Sequence, residues 1–151
     1  MKVSELIELL KGHNQDNEVI ISSDAEGNDY SIFEDIADDD LYFWDKENDE
    51  LIYKEDYSIE EIIEMKNELT DCIILYPWKS KGNKQRKPMK VSELIEALQE
   101  HDPELEILIS DDEEGNDFSE LADMSLENLI PVFENKNYTE TNKKEYIVLW
   151  P

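Results

Sequence analysis

Residues 1–29 read MKVSELIELLKGHNQDNEVIISSDAEGND, and residues 89–117 read MKVSELIEALQEHDPELEILISDDEEGND. The two stretches align without a gap, and nearly two thirds of their positions are identical. Repetition at a fixed offset means that one supersecondary unit occurs twice, so the unit has to be read first. Val3, Leu6, Ile7 and Leu10 stand at i, i+3, i+4 and i+7, the stripe of an amphipathic helix, and Val91, Leu94, Ile95 and Leu98 repeat it. Gly12 is the expected stop of the first helix. Residues 18–22 and 106–110 are short apolar runs that predict buried strands. A Gly-Asn pair follows in each copy and predicts a turn, after which Tyr30 and Phe118 are expected to pack back on the body.

The copies also end alike, with Ile73, Ile74, Leu75, Tyr76 and Pro77 in the first and Ile147, Val148, Leu149, Trp150 and Pro151 in the second. Between these ends they diverge. In the first copy, residues 41–44 and 50–53 flank an acidic turn and predict a hairpin. Ser58 with Glu61 has the spacing of a capping box and predicts a helix through Ile59, Ile62, Ile63 and Met65. The second copy is about 14 residues shorter here; strands are expected at residues 131–133 and 145–150. The expected class is α+β, with two duplicated lobes, each a leading helix on a short, mostly antiparallel sheet. The first lobe would span 1–78, a linker 79–88, and the second lobe 89–151. Lys79, Lys81, Lys84, Arg86 and Lys87 make that linker basic, and Pro88 discourages helix at Lys87. Lobes this small are marginal alone, so they are expected to pack on each other or the protein to dimerise.

The chain of 151 residues holds 40 acids against 14 bases, a net charge of −26. Leu, Ile, Val and Phe still make up roughly a quarter of it, above the ~20% that marks disordered chains. A folded body with an acidic skin is expected. Cys72 is the single cysteine and lies in an apolar run, which excludes a disulfide framework and points to a buried, inert thiol. The N-terminal stretch carries Glu5 and Glu8 within its apolar pattern, unlike a signal peptide. No apolar run approaches the ~20 residues of a membrane span. A cytoplasmic setting, no membrane partner and no cofactor are expected.

No phosphate-binding loop, dinucleotide fingerprint or nucleophile elbow is present. In so acidic a chain a pair of carboxylates says nothing about acid/base catalysis. His13 and His101 follow the leading helices, where imidazole suits the helix dipole. A non-enzymatic protein is therefore expected. The turns around Asp24, Glu26, Asn28 and Asp29, and around Asp112, Glu114, Asn116 and Asp117, cluster oxygens as calcium sites do. Their spacing departs from the EF-hand pattern, and turns whose carboxylates cap backbone amides are the expectation.

Direct nucleic-acid binding is disfavoured, because phosphate attraction would become repulsion. The charge itself points elsewhere. A compact fold of this length is about 38 Å across, and about 38 Å of duplex DNA carries about 22 negative charges. The value of −26 is close to that and far outside the range of about 2–8 that solubility asks of a small domain.

The stretch KVSELIEALQEHDPELEILISDDEEGNDFSELADM and the closing IVLWP resemble a family of small, mostly uncharacterised bacteriophage proteins. Those pair a KVxELIxxL helix with an EGN loop and finish on VLWP. The resemblance covers most of the second copy and both ends of the first, and the tandem form departs from the usual single copy. It implies a phage origin and a setting in the host cytoplasm. In charge and size the chain is also similar to the acidic DNA-mimic inhibitors that phages make, an analogy of class and not of ancestry.

The expected function is thus an acidic DNA mimic that occupies the basic cleft of a host DNA-binding or defence protein. The expected contacts are Asp24, Glu26 and Asp29; Asp38, Asp39 and Asp40; and Asp111, Asp112, Glu113, Glu114 and Asp117. The alternative is an interaction module that binds a specific protein through Tyr42 and Trp44 in the hairpin.

Overall fold

The computed structural model describes residues 1–26, 28–37, 42–48, 50–77, 88–111, 117–129 and 144–151. The fold class is α+β. In chain order, the first repeat contributes α1 (Val3–Lys11), β1 (Glu18–Ser22), β2 (Tyr30–Ser31), β3 (Phe33–Ala37), β4 (Tyr42–Asp45), β5 (Glu50–Tyr53), α2 (Ile59–Met65) and β6 (Thr70–Pro77). The second contributes α3 (Val91–Leu98), β7 (Glu106–Ser110), β8 (Phe118–Glu120), β9 (Asp123–Leu129) and β10 (Lys144–Trp150). The expected leading helices, hairpin, capped helix and strands at 18–22, 106–110 and 145–150 are all present. The expected strand at 131–133, and the linker except for Pro88, lie outside the described residues.

The expectation of two lobes contiguous in sequence needs correction, because each sheet is built from both repeats. One sheet runs β2-β1-β10-β9 and the other β5-β4-β6-β7-β8, with β3 also on β6. At the centre of the first, β1 pairs in parallel with β10, Val19 opposite Ile147 and Ile21 opposite Leu149. At the centre of the second, β6 pairs in parallel with β7, Ile73 opposite Ile107 and Leu75 opposite Ile109. The last strand of each copy has crossed to the other copy. The sequence could not tell this arrangement from separate lobes, since β6 and β10 present the same Ile and Leu to the core, Ile73 and Leu75 against Ile147 and Leu149. The flanking pairs are antiparallel, as expected.

The exchange is reciprocal down to single hydrogen bonds. The first amides of a helix have no partner within it. Here Val3 N donates to Leu105 O (3.0 Å) and Ser4 N to Pro103 O (3.0 Å), while Val91 N donates to Asn17 O (2.9 Å) and Ser92 N to Gln15 O (3.2 Å). Each helix is thus capped by carbonyls of the other repeat. Lys2 Nζ meets Glu104 at 2.7 Å, and its counterpart Lys90 meets Asp16 at 2.7 Å. Tyr30 packs edge-on against Trp150 at 6.2 Å between ring centres, and Tyr76 against Phe118 at 6.4 Å.

Strand side chains alternate between faces, and here both faces of the central strands are buried. Val19, Ile21, Ile73, Leu75, Ile107, Ile109, Ile147 and Leu149 face one shared core with the stripes of α1 and α3. On the reverse faces, Ile20, Ile32, Tyr146 and Val148 form one satellite cluster, and Trp44, Cys72, Ile74 and Leu108 form another. Gly12 caps α1 in ordinary right-handed geometry (φ −74°). Its freedom is not required, and Glu100 holds the equivalent place in the second copy.

Candidate partner-binding surface

The turn after β1 is organised by one carboxylate. Asp24 Oδ1 accepts from Glu26 N (2.9 Å) and Asn28 N (3.1 Å), and its Oδ2 accepts from Asn28 Nδ2 (3.0 Å). Asn28 Nδ2 also donates to Glu26 Oε2 at 3.2 Å. Ser23 N donates to Asp29 O (3.1 Å) and closes the turn. The Asp29 carboxylate accepts from the next amide, Tyr30 N, at 2.9 Å. The second copy closes in the same way, Asp111 N donating to Asp117 O (3.0 Å) and Phe118 N to the Asp117 carboxylate (3.0 Å).

Asp24, Glu26 and Asp29 are therefore brought together in one turn, and Asp111 and Asp117 meet across its counterpart. The carboxylates of Asp24, Asp29 and Asp117 cap backbone amides, while Glu26 accepts from the Asn28 side chain and Asp111 from the Ser119 hydroxyl. Among the described residues no three His, Cys, Asp or Glu side chains are grouped to hold a metal ion. Asp38, Asp39, Asp40, Asp112, Glu113 and Glu114 lie outside the described residues, as does the side chain of Tyr42, whose backbone pairs with Tyr53 in the hairpin.

Trp44 requires a correction. It is only 2% exposed and packs with Cys72, Ile74 and Leu108. Its indole N–H donates to Glu120 Oε1 at 3.2 Å. Lys46, in the turn of the same hairpin, lies 3.3 Å from Glu120 and 3.4 Å from Glu106. The hairpin is clamped onto the second repeat, and the ring that was expected to meet a partner fills the interior instead. Strand pairing on both sides is the reason: Trp44 sits opposite Leu51 and Thr70, and its neighbour Phe43 is buried as well.

The insertion does carry exposed apolar side chains that sequence reasoning passed over. Tyr53, Tyr57, Ile59 and Ile63 are exposed, and α2 has no buried residue at all. The sign was in the sequence: Ile59, Ile62, Ile63 and Met65 make a wide apolar stripe on a helix too short to need all of it.

Most of the described lysines are paired. Lys2, Lys11, Lys46, Lys54, Lys90 and Lys144 each pair with a carboxylate. A side-chain hydrogen bond to Glu104 raises the Lys2 pKa, and one to Asp16 raises that of Lys90. Burial works against the charge of Lys46, but Glu120 and Glu106 outweigh it and its pKa rises. Asp16 is held below the usual range by Lys90, Asp45 by Asn48, and Glu61 by its hydrogen bonds from Ser58. Further exposed acids are distributed over the helices, turns and strands, among them Glu5, Glu26 and Glu64 in the first copy and Glu96, Asp117, Asp123 and Glu145 in the second. No helix of the described residues is long and apolar enough to cross a membrane. No protein family, curated protein or solved structure matches the chain.

Proposed function

We propose that this protein is a non-enzymatic, phage-type DNA mimic that occupies the basic cleft of a host DNA-binding or defence protein in the cytoplasm. The observation that carries this reading is the net charge of −26 on a folded body in which six of the described lysines are already engaged in ion pairs. The acids among the described residues belong to helices, strands and turns, so their spacing is set by the fold. A fixed array of carboxylates presents to a Lys/Arg-lined cleft what phosphates would present, and it speeds encounter through long-range attraction. The resemblance to small phage proteins agrees with such a role. Asp24, Glu26 and Asp29 in the turn after β1, together with Asp111, Asp112, Glu113, Glu114 and Asp117 and with Asp38, Asp39 and Asp40, are the proposed contacts.

The test is affinity capture from bacterial lysate on the immobilised protein, at low salt and again near 1 M salt, where the Debye length falls to about 3 Å. Mimicry requires that a DNA-binding protein be retained at low salt, released at high salt and displaced by duplex DNA. Capture in which no DNA-binding protein is released by salt or displaced by duplex DNA would reject it.

A further inference from the structure

Helix α2 is an anomaly in this fold. A helix of this length has little stability of its own and normally forms because an apolar face is covered. At 3.6 residues per turn, Ile59, Ile62, Ile63 and Met65 occupy an apolar arc of roughly 160°. Ile62 and Met65 are half-buried, whereas Ile59 and Ile63, one turn apart, are 73% and 61% exposed. Tyr57, just before the Ser58 cap, is 40% exposed. The exposed acids Glu60 and Glu64 border this face, with Asp56 at its start.

From this we infer that the outer face of α2 is a docking surface for a protein groove that is apolar along its floor and lined with Lys or Arg at its rim. Charge selects this occupant. A second copy would bring the same acids and a further −26 against the helix. Helices that lie on membranes carry Lys and Arg on the polar face, and this one carries Glu60, Glu61 and Glu64. A basic-rimmed groove satisfies both features at once: the two isoleucines enter the floor while the glutamates meet the rim, in the manner of helix-in-groove recognition. The inference goes beyond DNA mimicry and stands without it, since it concerns a contact that salt does not abolish.

The probe is a short amphipathic helical peptide of Leu and Lys, compared with oligolysine of equal charge, titrated into the full chain near 1 M salt. Amide shifts should centre on Tyr57, Ile59, Glu60 and Ile63 with the Leu/Lys peptide, and oligolysine should not bind. The double substitution Ile59→Ser, Ile63→Ser should weaken the Leu/Lys peptide about a hundredfold, the loss expected from two buried isoleucines. Both positions are exposed, so the variant should keep its far-ultraviolet spectrum and melting midpoint. Equal behaviour of the two peptides, shifts centred away from α2, or unchanged affinity in the variant would overturn the inference. So would self-association, or binding to zwitterionic vesicles, that the double substitution abolishes. None of these results bears on displacement by duplex DNA, so mimicry is judged separately.

Discussion

Single side chains in this protein divide sharply between those that hold the fold and those that face outward. Trp44 belongs to the first group. Trp44→Ala should cost about 3–5 kcal/mol of stability, the usual loss for a buried aromatic, measured by urea denaturation. A surface anchor would cost almost nothing. Cys72 was legible from its apolar neighbours. Burial pushes its thiol up to about 12, so a thiol reagent at pH 8 should leave the native protein unlabelled and react only in denaturant. Trp44 was misread because a tryptophan in an inserted hairpin looks like an anchor, and only the strand's pairing decides which way the ring turns.

The individual elements were the most legible part of the structure. The 3.6-residue stripes located α1 and α3, and the capping box located the start of α2. There, Ser58 Oγ accepts from Glu61 N while Glu61 accepts from Ser58 N at 2.8 Å. Ser58→Ala should remove about 1 kcal/mol from this helix. Because α2 contributes no buried residue, the loss should be local. Hydrogen exchange of the α2 amides should quicken while the global melting midpoint barely moves. Strand partners were illegible for the opposite reason. The residues that β6 and β10 turn to the shared core are identical, Ile73 and Leu75 against Ile147 and Leu149, so pattern reasoning cannot assign their partners.

Taken whole, the molecule is held together by exchange between its repeats rather than by the chain that links them. A protease site engineered into residues 79–87 should therefore leave, after cutting, two fragments that co-elute and melt in one transition. Separable fragments would mean independent lobes. Self-repulsion at −26 weakens the compact state, so the melting midpoint should rise with added salt. The pH response has a definite sign. Asp16 and Asp45 have lowered pKa values, so their stabilisation is complete above the ordinary aspartate value of 3.8. It should fade as pH falls below that value, seen as a drop in midpoint between about pH 4 and pH 2.

The crossing of β10 to β1 also sets an order of events during synthesis. The partner of residues 18–22, β10, is synthesised well after β6, and until then β6 is the matching strand at hand. A nascent first repeat can close on itself through β1 and β6, a pairing that must be undone before the finished topology forms. Parallel pairings across such separations are slow to form. At high concentration, the same unsatisfied edge invites the closing strand of a neighbouring chain. Refolding by dilution should therefore give two phases and a concentration-dependent yield of entangled species, whereas unfolding should remain a single step.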